Sequence, residues 1–155
     1  MVVEVIFLGL DPGLHGAVAL IDSDGNLIDI FDTPLLGKEY DLRAMACLIR
    51  DHLPNGCAIE TQQAFPKQGG VSNFTTGYGF GLWMGFLTAY GVKHEKVRAQ
   101  DWKKALGIPA GSDKSASIAA AQRLFPGGDF TGPRGGMKDG RADAVLIAEY
   151  RRRQG

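Results

Sequence analysis

A chain of 155 residues, 45% hydrophobic and 22% charged, is an ordinary water-soluble globular chain, long enough to bury a core and expected to form one domain over residues 1–155. The formal net charge of zero argues at first against a nucleic-acid partner, but the charge is unevenly placed: residues 1–60 carry 3 Lys/Arg and 10 Asp/Glu, and residues 61–155 carry 14 and 7. The basic part, with Lys67, Lys103, Lys104, Lys114, Lys138 and Arg141, hints at a polyanion, although solvated Lys and Arg are also the usual surface of any domain. Cys47 and Cys57 lie in apolar contexts and read as free thiols in a reducing compartment. Met1 leads straight into a strand-like run without a signal or transit peptide, so a cytoplasmic location is expected.

In chain order, residues 3–10 read as an apolar strand that ends at Asp11. Gly13 and Gly16 allow a tight turn into a second strand at 17–22, and Asp24-Gly25 joins it to a third at 27–31 as a hairpin. A helix is expected at 41–53, with Leu42, Met45, Ile49 and Leu53 on one stripe. A fourth strand at 57–60 ends on Glu60. A helix at 73–90, a short strand at 94–98 and helices at 100–106 and 113–125 follow, with Asp113 as an N-cap. The Gly- and Pro-rich stretch 126–136 reads as loop, and a last helix spans 138–152. No repeat and no domain linker interrupts the chain. The order predicts an α/β fold, an antiparallel three-strand meander continuing into parallel strands, with helices on both faces.

Residues 68–92 contain no charged side chain and are long enough to span a bilayer. Ser72, Asn73, three threonines and many glycines make the stretch too polar for insertion, so no membrane is expected. Gly77, Gly81 and Gly85 recur at four-residue steps, a ridge without side chains along one helix face. Each glycine costs a helix roughly 1 kcal/mol against alanine, so such a ridge needs a packing reason. Two remain open: close packing on this chain's own sheet, or a subunit interface.

Four carboxylates carry the chemistry. Asp11 and Glu60 end apolar runs and would sit at the carboxyl ends of buried strands, where sites form in open α/β sheets. Asp139 and Asp143, four residues apart on a helix, share one face. Like charges so placed repel, and the cluster is tolerable if a hard, oxygen-seeking cation such as Mg²⁺ fills it. Taken singly, each has a plainer reading. Asp11 can start an Asp-Pro-Gly turn, and Asp139 can be a favourable charge in a helix's first turn. The order and placement of the set are far more specific than any member. His15, His52 and His94 form no ligand spacing. Trp83 and Trp102 read as core anchors, and Arg151, Arg152 and Arg153 as a solvated helix end.

The segments FLGLDPG (7–13), CAIE (57–60), WKKALG (102–107), LFPG (124–127) and KDGRADA (138–144) resemble the RuvC-type Holliday-junction resolvases of the ribonuclease H-like superfamily. The resemblance covers nearly the whole chain. The closing K-D-x-x-A-D form is nearer the organellar, viral and phage-like branches, since bacterial members commonly place the last two acids three apart. It implies a ribonuclease H-like mixed sheet and a homodimer that cuts four-way DNA junctions by paired symmetric nicks, leaving 5′-phosphate and 3′-hydroxyl ends, in DNA recombination and repair. In a viral source the site of action would be the host cytoplasm; in a bacterial one, the nucleoid.

The resemblance also implies roles. Asp11 would bridge two Mg²⁺ ions, for which Mn²⁺ can substitute, Glu60 and Asp143 would complete the two coordination spheres, and Asp139 would assist. Lys138 would contact the scissile phosphate or orient water. Phe65 would help to open the junction, and Lys67, Lys103, Lys104, Lys114, Arg134 and Arg141 would line the DNA. Two alternatives stand beside this reading. One is another nuclease of the fold, acting on branched DNA or on an RNA–DNA hybrid through its 2′-hydroxyls. The other is a non-nucleolytic junction- or nucleotide-binding member. The Asp-Pro-Gly turn also resembles the phosphate loop of sugar kinases and chaperone ATPases, but that arrangement needs two such domains and 155 residues provide one.

Overall fold

The segment Ile6–Asp11 forms strand β1, and its alternate side chains enter two separate cores: Phe7 joins one, Leu8 and Leu10 the other. This two-sided burial places β1 at the centre of the sheet. The structure, a computed structural model, describes residues 3–132 and 134–155. The expected lead from Met1 into the first strand lies outside them. The strand begins at Ile6, because its first partner is Asp22 and, among the described residues, no strand pairs with the exposed Val3 and Val5.

Strands β2 (Ala17–Asp22) and β3 (Leu27–Asp32) continue antiparallel from β1. A two-residue hairpin, β4 (Leu35–Leu36) and β5 (Glu39–Tyr40), follows, which the sequence did not signal. Helix α1 (Leu42–His52) is capped by Asp41, whose carboxylate accepts from the Ala44 amide at 3.0 Å. Its buried stripe is Met45, Leu48 and Ile49. The expected end members, Leu42 and Leu53, stay exposed, because one opens the helix and the other caps it in a left-handed conformation at φ 40°.

Strand β6 (Gly56–Glu60) pairs parallel with β1, and β7 (His94–Val97) pairs parallel with β6. The sheet order is therefore β3-β2-β1-β6-β7, the expected meander running into parallel strands. Between β6 and β7 lies α2 (Gly70–Ala89), followed after β7 by α3 (Ala99–Ala105), α4 (Lys114–Leu124) and α5 (Asp139–Gln154). Asp113 caps α4 as expected, accepting from the Ser115 amide at 3.0 Å. Buried residues of α1 and α2, among them Met45, Ile49, Trp83 and Leu87, fill one face with Leu8, Leu10 and Ile59. Trp102 of α3, Ile118 of α4 and the Ala142–Ala148 stretch of α5 fill the other. Each large apolar side chain so buried contributes roughly 1.5–3 kcal/mol, so both layers hold the sheet firmly.

The glycines divide by role. A Cβ on Gly77, Gly81 or Gly85 would meet nothing within 4 Å, so the ridge does not pack on the chain's own sheet. That face belongs to Gly79, Trp83 and Leu87, with Gly79 against the Tyr40 ring. Gly9 and Gly140 have the opposite character. A Cβ on Gly9 would come within 2.1 Å of the Ala144 carbonyl, and one on Gly140 within 2.3 Å of the His15 carbonyl. These two contacts seat the start of α5 directly on β1 and on the β1–β2 turn. Among the described residues no helix is long and apolar enough to cross a membrane.

Candidate active site

Because β1 and β6 are parallel neighbours with Leu10 opposite Ile59, the next residue of each, Asp11 and Glu60, stands at the same carboxyl edge. The turn beyond Asp11 is tight: the Gly16 amide donates to the Gly13 carbonyl at 3.1 Å, with Gly13 at φ +114°. Any Cβ on Gly16 would strike the Asp11 carbonyl at 1.8 Å. Seated by Gly9 and Gly140, α5 brings Asp139, its first residue, and Asp143, one turn on, to that edge. Three elements far apart in sequence thus deliver four carboxylates to one place.

Their electrostatics record the crowding. Burial, and then the charges of Glu60, Asp143 and Asp139, hold the Asp11 carboxyl well above the usual carboxylate range. Burial and the charge of Glu60 push Asp143 up to about 7. Glu60 is raised by burial alone, against the pull of its Trp102 hydrogen bond and of the Lys103 charge. Burial makes the ionised form of these carboxylates costly, and a nearby positive charge offsets that cost.

Two of the four acids have protein partners. Lys114 Nζ lies 2.8 Å from Asp139 Oδ2, and Trp102 Nε1–H donates to Glu60 Oε2 at 2.8 Å. Consistent with this, no group of three or more His, Cys, Asp or Glu among the described residues is already arranged to hold a metal ion. The donor set nonetheless fits a hard cation in its chemistry: the ligands are carboxylates alone, and three of them, Asp11, Glu60 and Asp143, are held above their ordinary proton affinity, chiefly by burial.

The other expected residues fall in different places. Lys114, rather than Lys138, is ion-paired with an acid of the cluster; it shares a cleft with Asp11, Asp139, Gln68, Ser72 and Thr76. Lys138 instead bears on Asp32, its stem lying beside Gly132. Lys103 sits over the Trp102 ring at 5.4 Å, where its charge lowers the proton affinity of both Glu60 and Asp143. Phe65 is 57% exposed on the segment after β6, its backbone bracketed by the Asn73 side chain, and it borders a groove with Glu60, Gln62 and Gln100. Lys67, Lys104 and Arg134 are exposed. Arg141 differs: its guanidinium donates to Asp32 through Nε at 2.7 Å and Nη2 at 2.9 Å, and to the Thr131 carbonyl through Nη1 at 2.9 Å. That engagement pins the loop before α5 to β3 and explains why so hydrophilic a side chain is only 18% exposed.

Trp83 and Trp102 are fully buried, as expected of core anchors. What the sequence did not disclose is that Trp102 also touches a site carboxylate. The signal available was its position soon after a strand neighbouring that of Glu60.

No family model matches the chain. Among solved structures it is similar to Thermus thermophilus RuvC, with a TM-score of 0.70 over 94% of this chain and 92% of that one, at 17% identity. The fold is that of RuvC. A second structure of T. thermophilus RuvC, in complex with a Holliday junction substrate, matches equally at a TM-score of 0.70 and 16% identity, over 94% of this chain and 92% of that one. The yeast mitochondrial Holliday junction resolvase Ydc2 matches at a TM-score of 0.56 and 14% identity, over 92% of this chain and 77% of that one. In sequence, the chain with this RuvC fold is 35% identical over 92 residues to a chloroplastic Holliday junction resolvase, MOC1, of Chlamydomonas reinhardtii. The match takes in 59% of this chain and 10% of that protein's length.

Proposed function

We propose that residues 1–155 form one nuclease domain that resolves four-way DNA junctions, cutting two strands symmetrically as a homodimer and leaving 5′-phosphate and 3′-hydroxyl ends. One observation carries the reading: Asp11, Glu60, Asp139 and Asp143 converge closely enough that the charges of the other three raise the proton affinity of Asp11. The RuvC fold and the sequence likeness to a chloroplastic resolvase support it.

Asp11, Glu60 and Asp143 would hold Mg²⁺, with Asp139 assisting, and Mn²⁺ has the same preference for oxygen. Bound there, paired divalent ions supply a water-derived nucleophile and charge stabilisation for an in-line displacement at phosphorus. The chain's own residues do the rest. The Gly13–Gly16 turn and the α5 seat hold the carboxylates in place without substrate. Lys114, reaching the acids from the cleft side, can take a phosphate oxygen as well as Asp139. Lys67, Lys103, Lys104 and Arg134 carry positive charge for backbone contacts that select shape rather than sequence. Phe65 offers an exposed ring on which an unpaired base can stack.

A second copy suits a nearly two-fold-symmetric junction. The outward ridge of Gly77, Gly81 and Gly85 lets a second helix approach closely, and Val71 and Phe74 on the same helix are 83% and 73% exposed.

The test is cleavage of a synthetic four-way junction with Mg²⁺, beside linear duplex and an RNA–DNA hybrid, for wild type and Asp11→Asn. Paired nicks in the junction alone, abolished in the variant while binding persists, are expected. Cleavage of the hybrid instead would place the chain among ribonucleases, and tight binding without cleavage under any divalent ion would overturn the mechanism.

A further inference from the structure

A buried indole N–H needs an acceptor, and the two tryptophans of this chain meet that need differently. Trp83 Nε1 is buried with no hydrogen-bond partner among the described residues, so burial in this fold does not by itself bring one. Trp102, equally buried, has a carboxylate oxygen at 2.8 Å, and that oxygen belongs to Glu60. The link between them is stiff. Glu60 pairs with Val97 across β6 and β7, and the Thr61 amide and hydroxyl both donate to the Val97 carbonyl, at 2.8 and 3.1 Å. Helix α3 starts two residues beyond Val97, and Arg98 at its cap is held by Asp101 through Nε at 2.8 Å and Nη2 at 3.1 Å. Trp102 is fully buried in the core cluster that also holds Val97, Ile108, Ile118 and Phe125. Lys103 lies over its face at 5.4 Å, so the indole also sits between a cation and an acid.

We propose that Trp102 is a positioning residue for Glu60: its indole N–H fixes the Oε2 oxygen and so presents Oε1 as the one free donor of that carboxylate. The inference rests on the nuclease reading and adds to it a determinant of metal affinity drawn from outside the acids. A glutamate at a strand end has three rotatable side-chain bonds, and a single well-placed donor removes most of that freedom before a cation arrives. Outer partners of this kind typically change metal affinity about 10–100-fold when removed.

The experiment measures Mn²⁺ binding by calorimetry for wild type, Trp102→Phe, Glu60→Gln and the double variant, with thermal melts of the metal-free proteins. Phenylalanine keeps an aromatic ring in the core but loses part of the bicycle with the donor, so the packing loss is separated by the comparison in the Glu60→Gln background. The expected result is a loss of about 10–100-fold in Mn²⁺ affinity for Trp102→Phe, no further loss from it in the Glu60→Gln background, and unchanged metal-free junction affinity. Equal loss in both backgrounds would mean that Trp102 acts through general packing and would overturn the inference. Unchanged Mn²⁺ affinity in Trp102→Phe would overturn it too, leaving the nuclease reading intact. Failure of the wild type to bind Mn²⁺ would instead overturn the nuclease reading itself. Should Trp102→Phe not fold, the wild type still decides: Mg²⁺ should move the Trp102 indole ¹H–¹⁵N resonance and leave that of Trp83 in place. A Trp102 resonance indifferent to saturating Mg²⁺ would refute the inference.

Discussion

Lys114 Nζ lies 2.8 Å from Asp139 Oδ2, so the first residue of α4 supplies a cation to the first residue of α5. The lysine side chain is 80% exposed and the aspartate 39%, so the pair adds little to stability in water. Its importance is electrostatic: among the causes acting on Asp11 and Asp143, the Lys114 charge is one that opposes their mutual repulsion.

Replacing Lys114 with methionine should therefore separate function from folding. The melting temperature should shift by no more than a few degrees, the scale of an exposed pair. Junction affinity should weaken, and the slope of log K against log salt should fall by about one, as for a lost phosphate contact. A variant with wild-type salt dependence and wild-type cleavage would show that Lys114 serves Asp139 alone.

Asp11→Asn should be inactive and yet more stable. The variant removes the carboxylate that burial and three neighbouring acids hold well above its ordinary proton affinity. Relieving such a functional strain commonly stabilises by about 0.5–2 kcal/mol. Chemical denaturation of the metal-free proteins at pH 7.5 checks this; a variant less stable than wild type would show that Asp11 has a structural partner.

Asp143 sets a pH dependence whose sign is definite. Its folded-state carboxyl is pushed up to about 7 from an ordinary value of 3.8. Between these values the folded protein holds a proton that the unfolded chain has released, so stability falls as pH rises through that window. Metal-free wild type should melt higher at pH 5 than at pH 7.5, and Asp143→Asn should reduce the difference, Asp11 and Glu60 keeping a part of the same sign. Saturating Mg²⁺ at pH 7.5 should restore stability by mass action, about 2.7 kcal/mol at a hundredfold excess over its Kd. An Asp143→Asn profile parallel to wild type would place the titrating group elsewhere.

Gly81 gives the subunit question a clean test. In the isolated chain a side chain there meets open space, and any residue but proline is a better helix former than glycine. Gly81→Leu should therefore leave the monomer as stable or up to about 1 kcal/mol more so. If a second copy's helix lies on the ridge, the same change should weaken the dimer by more than tenfold in sedimentation equilibrium. An unaltered dimer would move the interface off the ridge.

The strands, Asp11 and Glu60 were legible because their signals are local: apolar runs that stop at an acid, and a hairpin marked by Asp24-Gly25. Asp139 and Asp143 were legible from their four-residue spacing on a helix and from the family resemblance. What the sequence could not show was orientation. The outward ridge of α2, the withdrawal of Arg141 to Asp32 and the donation of Trp102 to Glu60 depend on how helices are rolled against the sheet, and a residue's type does not fix that. By sequence, Lys138 beside Asp139 reads as the cation at the acids and Lys114 as a DNA contact. Only the meeting of the starts of α4 and α5 places Lys114 at the acids.

Gly9 ties the fold to the site through the backbone of α5. It occupies β1 two residues before Asp11, and α5 crosses it so closely that a Cβ would lie 2.1 Å from the Ala144 carbonyl and 2.2 Å from the Ala148 amide nitrogen. Both contacts are backbone, so no side chain can swing aside to admit a methyl group. Gly9→Ala must lift the helix or bend the strand, and overpacking a filled core costs about 1–3 kcal/mol, here at the upper end. The same displacement carries Asp143 away from Asp11, since Asp143 precedes Ala144 on the raised helix. The expected phenotype is a folded but destabilised protein whose Mn²⁺ affinity falls more than its junction affinity. Should Gly9→Ala retain wild-type Mn²⁺ binding, the position of α5 would not be what sets the spacing of the carboxylates.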